Sequence, residues 1–319
     1  MSWSNPVRGN RALYAGAAAL AASALFNRIS SARAERRYPP VGRILDVGGM
    51  AVHVLERGSG DPVVLLHGSG SLIQDFMTSG LVDRLAASRR VIVFDRPGYG
   101  YTERPRGSAW TPERQAALFV DACSQIGAER PVVMGHSWGT LVALAWALDH
   151  PGALSGLVLG AGYFFPTLRA DALPTTIAGM PGVGDLIAHT IAPIQTRLTG
   201  PLGNRMIFSP ASPTEAFLEQ MPFGLMLRPG QLRATAADSG GMPAAAARLA
   251  PRYPELTLPV TILWGEGDKL VKQADQSARL LRELPQAHGF EIAGGGHMIH
   301  HVRPEIVASA ILAPGSRVD

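Results

Sequence analysis

Gly135-His136-Ser137-Trp138-Gly139 is the stretch on which the reading of this chain turns. The pattern G-x-S-x-G is common by chance, so its neighbours carry the information. Before it, Pro131-Val132-Val133-Met134 is short, apolar and β-type. After it, Thr140 to Leu148 is helix-like and stops at His150-Pro151. A strand, a tight turn and a buried helix are the setting in which a serine Oγ projects outward as a nucleophile. Gly135 and Gly139 remove side chains that would collide where strand and helix approach.

A nucleophile needs a base, and the base needs an orienter. Val260-Thr261-Ile262-Leu263-Trp264 reads as a buried strand that runs into Gly265-Glu266-Gly267-Asp268. Further on, Gly289-Phe290-Glu291-Ile292 is a short strand leading to Gly294-Gly295-Gly296-His297. An acid and a histidine on glycine-rich loops thus follow the serine in the order Ser, Asp, His. Upstream, Val63-Val64-Leu65-Leu66 ends at His67-Gly68-Ser69-Gly70, where backbone N–H groups are able to face the reacting centre.

With these pieces in place, the chain from about Val41 onward resembles the α/β-hydrolase superfamily. The matching motifs, in order, are His67-Gly68-Ser69-Gly70, Asp95-Arg96-Pro97-Gly98-Tyr99-Gly100, the serine elbow, Trp264-Gly265-Glu266-Gly267-Asp268 and Gly295-Gly296-His297. The resemblance implies Ser137 as nucleophile, His297 as general base and Asp268 as its orienter. It also implies an oxyanion hole formed by the backbone amides of Ser69 and Trp138.

The alternation along the body agrees. An opening β-hairpin is expected from Ile44 to Leu55 around Gly48-Gly49, then strands at Val91–Phe94 and Leu157–Leu159. A helix from Thr111 to Gly127 has Thr111 as its cap and Pro112 at its first position. The expected fold class is α/β: a mostly parallel sheet with helices on both faces. From Tyr163 to about Pro251 the alternation fails, and short helical pieces such as Pro213–Gln220 and Pro243–Leu249 replace it. The expected organisation is a leader over 1–37, a core over 38–162 and 252–319, and an α-helical cap insertion over 163–251.

Charge separates the leader from the body. The whole chain carries +4, but residues 1–37 hold six arginines against Glu35 alone, leaving the remainder about −1. The basic balance therefore does not describe a nucleic-acid surface. Lysine occurs only at Lys269 and Lys272. Cys123 is the one cysteine, which excludes an intrachain disulfide and reads as a small core residue. Ala12 to Phe26 is an unbroken, alanine-rich apolar run flanked by arginine. It is short for a span and suits a signal-peptide core, with an A-x-A-like site at Ser31-Ala32-Arg33-Ala34. Membrane association through residues 12–26 is the expectation. Export after cleavage near Ala34 and a cytoplasmic location are the alternatives.

Bland readings compete at each position. His297, His300 and His301 have helical spacing that suits zinc, but no further ligand cluster accompanies them, and no metal or cofactor is expected. Glu266 and Asp275 are rivals of Asp268; Asp268 stands where the resemblance puts the acid. His67 reads as a brace for its loop and Asp95 as the holder of the turn after its strand. A serine nucleophile implies acyl transfer to water. Related epoxide- and halide-processing enzymes use a carboxylate at this position. The best expectation is a carboxylic ester hydrolase acting on an apolar small molecule, with Tyr163, Phe164, Phe223 and Met226 as substrate-binding candidates. Carbon–carbon bond hydrolysis and aminopeptidase activity are alternatives on the same fold, although the oxyanion loop has no proline. A slow-turnover ligand receptor is the alternative from another class.

Overall fold

In the computed structural model, residues 6–167 and 179–317 are described; residues 1–5 of the leader and 168–178 of the insertion lie outside them. A long helix α1 (Pro6–Arg37) precedes the hairpin β1 (Arg43–Val47) and β2 (Met50–Arg57). Then come β3 (Pro62–Leu66), α2 (Gln74–Thr78), α3 (Leu81–Ala86), β4 (Arg90–Phe94), α4 (Pro112–Gln125) and β5 (Val132–His136). The elbow follows, with α5 (Gly139–Asp149) and β6 (Gly156–Gly160). Between β6 and β7 the described chain is helical: α6 (Val183–His189), α7 (Ala192–Phe208), α8 (Glu215–Gln220), α9 (Phe223–Met226) and α10 (Pro229–Leu249). The chain closes with β7 (Val260–Gly265), α11 (Ser277–Glu283), β8 (Ala287–Ile292), α12 (Ile299–Val302) and α13 (Pro304–Leu312).

The sheet has eight strands in the order β1-β2-β4-β3-β5-β6-β7-β8. Only the β1–β2 and β2–β4 pairings are antiparallel. β3 lies between β4 and β5 and pairs with both in parallel register. The order of the chain reverses there, and a crevice opens at the carboxyl ends of strands flanking such a switch point. The loop after β3 and the elbow after β5 both start at that crevice. One sheet face packs on α4, α5, the C-terminal half of α10 and α11; the other packs on α3 and α13. Parallel strands buried on both faces need apolar residues on both, which explains runs such as Val63-Val64-Leu65-Leu66, all fully buried. Thr111 caps α4 as expected, its Oγ1 accepting from the Arg114 amide at 3.3 Å with Pro112 in the first turn.

Two segments differ from the sequence expectation. Pro243–Leu249 is not a separate helix but the end of the 21-residue α10, with Pro243 inside it. α1 does not stop at Phe26. It runs to Arg37, and its stretch Arg11–Arg37 is long and apolar enough to cross a membrane. Its second half is docked on the body. Asn27 Nδ2 donates to the carbonyls of His189 and Thr190, both at 3.0 Å, and Ser23 Oγ donates to Thr190 O at 2.6 Å. Ala34, within the A-x-A-like segment, is buried with Leu72 and Leu225, and Gly224 leaves no room for a Cβ beside it. Arg228 pairs with Glu35 at 3.1 Å. In detergent, deleting residues 1–22 is therefore expected to leave Tm nearly unchanged, whereas deleting 1–37 lowers it by about 4 °C or more. Differential scanning fluorimetry of the two truncations checks this.

Candidate active site

Ser137 occupies a left-handed backbone conformation, φ 52°, between β5 and α5. A non-glycine residue at positive φ costs energy and is kept only where the surroundings over-determine it. Here a 2.8 Å hydrogen bond from its amide to Gly160 O helps to fix it. The close approach is supplied by its neighbours. A Cβ on Gly135 would lie 2.4 Å from Gly139 O, and one on Gly139 would lie 2.2 Å from Leu66 O.

Ser137 Oγ lies 2.8 Å from His297 Nε2, and His297 Nδ1 lies 2.8 Å from Asp268 Oδ2. The tautomer that satisfies both contacts donates from Nδ1 to the carboxylate and leaves Nε2 to accept the serine proton. The other carboxylate oxygen, Oδ1, accepts from the amides of Leu270 at 2.8 Å and Val271 at 3.1 Å. Asp268 is thus held from both sides. Its rivals serve elsewhere: Glu266 Oε2 accepts from the Gly294 amide at 3.0 Å, and Asp275 sits in a short turn after Lys272. The His297 loop is tied down by α7, since Ile207 O accepts from the His297 amide at 2.9 Å, and by His136, whose Nε2 donates to His297 O at 2.9 Å. Burial, then the neighbouring His300 and His297, hold the His136 ring well below the ordinary histidine range, so it is neutral.

The loop after β3 is braced from beneath. His67 Nδ1 donates to Gly68 O at 2.8 Å and its Nε2 accepts from the Arg96 amide at 3.0 Å. Burial, then the Arg96 charge, pushes its pKa down to about 4. Asp95 holds its turn by accepting from the amides of Ile73 and Tyr101. Sequence reasoning missed Arg96 and Asp238. The fully buried Arg96 donates to His67 O, Gly68 O and Asp238 Oδ2, the last at 2.7 Å, and its guanidinium lies over the rings of Tyr99, at 4.6 Å, and Trp138, at 4.3 Å. Asp238, on α10, also accepts from Tyr99 and Arg104, and its carbonyl accepts from Trp138 Nε1 at 2.9 Å. One residue of the insertion therefore meets the elbow directly, at Trp138, and the β3 loop through Arg96; the amides of Ser69 and Trp138 in these loops are the oxyanion candidates. The signal was present in the sequence: Asp238 is the one charged residue between Arg233 and Arg248.

A cavity of about 210 Å³ opens on Ser137 and His297. Ser69, Tyr163 and Met226 line it, with Met221, Met242 and Asn204. Two of the substrate-binding candidates do not. Phe164 is fully buried in the core, its amide donating to Gln276 Oε1, because Gly162 makes room for its ring. Phe223 stands behind the wall, edge-on to Phe217. A larger cavity, about 920 Å³, is lined by Glu35, Arg104, Arg228 and Arg233 and does not include Ser137. The three histidines of helical spacing part company: His297 faces Ser137, while His300 and His301 face the buried Asp75, at 3.3 and 2.7 Å.

Breaking the Asp238 cluster leaves a buried guanidinium short of its counter-charge. Asp238→Ala is expected to lower unfolding free energy by about 3–5 kcal/mol, measured by urea titration, with Asp238→Asn costing less.

Residues 61–304 match the family model of the alpha/beta hydrolase fold. The chain is 25% identical over 279 residues to haloalkane dehalogenase 2 of Mycobacterium tuberculosis, covering 86% of this chain and 95% of the relative. It is 31% identical over 162 residues to 2-hydroxymuconate semialdehyde hydrolase of Pseudomonas putida, covering 49% and 58% of the two chains. Among solved structures, a bacterial membrane phospholipase A superposes with a TM-score of 0.64 at 20% identity, covering 97% of this chain and 94% of the other. That superposition leaves out so little of the chain that most of α1 falls within it. The match over most of the chain, on this sheet order, makes the protein a member of the α/β-hydrolase fold family.

Proposed function

We propose that the protein is a serine hydrolase that cleaves a carboxylic ester of an apolar small molecule through an acyl-enzyme. The relay Ser137 Oγ to His297 Nε2 and His297 Nδ1 to Asp268, 2.8 Å at each step, carries this reading. His297 takes the serine proton as Oγ attacks the carbonyl, and the amides of Ser69 and Trp138 receive the charge that develops on oxygen. The histidine returns its proton to the leaving alcohol. It then activates water against the acyl-enzyme, Asp268 keeping the ring in its working tautomer throughout.

Halide displacement, the reaction the dehalogenase relative is named for, does not suit a serine nucleophile. A serine that displaced halide would be left as an ether, which water activated by a histidine does not open, whereas attack on a carbonyl leaves an ester that it does. The wall of Met226, Met242 and Tyr163 beside Ser137 supports an apolar acyl group. A second reading, carbon–carbon bond hydrolysis, is supported by the semialdehyde hydrolase at 31% identity and by the polar side of the cavity, Ser71, Asn204 and Ser239. The apolar α1 supports a place at a membrane.

Ser137→Ala is expected to abolish ester turnover and fluorophosphonate labelling while circular dichroism is unchanged; label on another serine overturns the assignment. Asp268→Asn should lower kcat about 10³–10⁴-fold by favouring the wrong tautomer, and Glu266→Gln far less. Steady-state kinetics on a mid-chain ester separates the two. Against a vinylogous 1,5-diketone and an aminoacyl amide, the ester is expected to be the fastest of the three substrates.

A further inference from the structure

Fourteen of the eighteen large apolar side chains left exposed among the described residues fall in two stretches, 13–29 and 180–206. In the first, residues 11–22 of α1 are exposed on every face of the helix. In the second, Ile191, Ile194, Leu198, Leu202 and Met206 recur at helical spacing and form one stripe along α7, with Leu198 77% and Leu202 73% exposed. The stretches form one surface. They meet where Ser23 and Asn27 bind the Thr190 carbonyl and where Arg197 stands 5.3 Å from the Phe26 ring. From residue 186 to 214 there is no acidic side chain, and Arg197 and Arg205 are the charges on α7.

Helix length sets the depth of this surface. Crossing about 30 Å of hydrocarbon takes about twenty residues. Counted from Ala12, twenty residues reach Ser31, with Arg28 the only charge among them and Arg33, Arg36 and Arg37 beyond. α1 is already docked on the cap from Ser23 onward, so a crossing by this span would place about nine residues of docked helix, roughly 13 Å, within the hydrocarbon. Whatever packs beside them is carried to the same depth. A protein groove covers one side of a helix, whereas a bilayer covers a helix that is apolar and exposed all round.

We propose that the α6–α7 face of the cap is immersed in the near leaflet beside α1, against anionic lipid, and that Ser137 draws a lipid acyl ester from that leaflet. The proposal rests on the hydrolase reading above and names its substrate class. α7 joins the two functions: Leu198 and Leu202 face outward, while Asn204 and Ile207 stand in the wall of the Ser137 cavity.

The test uses the full-length protein in vesicles of phosphatidylcholine and phosphatidylglycerol. Cys123 is buried, its thiol pushed up to about 12, so a nitroxide placed at Leu202→Cys labels that site selectively. The label is expected to be accessible to oxygen and shielded from a water-soluble nickel complex. Nickel accessibility at Leu202→Cys with a label at Leu20→Cys shielded overturns the proposal, as does dipolar broadening between two copies, which would make the stripe a self-association face. Leu198→Asp/Leu202→Asp should lower hydrolysis of a diacyl lipid in the vesicles at least about ten-fold and leave a soluble butyrate ester unchanged. Equal rates on the lipid overturn the substrate assignment. Failure of the wild type on every ester overturns the hydrolase reading instead, and the label still reports the depth of α7.

Discussion

Two backbones in contact govern this molecule. At the elbow, β5 and the first turn of α5 approach until Gly135 meets Gly139, and Gly139 meets the end of β3, at distances no side chain survives. That closeness forces the residue between them into a conformation side chains avoid and lifts Ser137 Oγ clear of the sheet. Its neighbours come to it from above the strand ends, where the β3 loop brings Ser69 into the same cavity and the β8 loop brings His297, backed by Asp268 of the β7 loop, to 2.8 Å from its Oγ.

This is also why so much was legible in the sequence. Glycines at forced contacts, buried strands of four or five apolar residues and a proline after a capping threonine are local statements, and local physics determined each. The fold class and the elbow follow from them. Asp268 and His297 were legible as loop residues, but their 2.8 Å geometry arises from the register of β7 on β8, which no local pattern encodes.

What was not legible lies in long-range packing. Phe164 looked like a pocket residue because it is aromatic and opens the insertion, yet the space vacated by Gly162 takes its ring into the core. The extent of α1 was hidden because an arginine-rich, alanine-rich tail after Phe26 suits a helix as readily as a cleaved linker. Its docking residues, Ser23, Asn27 and Ala34, are small and unremarkable in sequence. Arg96 and Asp238 stand 142 residues apart, and only the folded cap makes them partners.

The Asp238 contact limits how the lid can be exchanged. A run of helices inserted between β6 and β7 invites the view of it as a separable module set on the sheet. In this chain the base carries a cation that is neutralised from the cap, so an exchange of lids would have to bring its own acid to the same point or accept an apolar replacement for Arg96 at the same time. A lid that keeps α10 and its Asp238 leaves that balance intact whatever becomes of α6 to α9, whereas one that removes α10 strands the guanidinium.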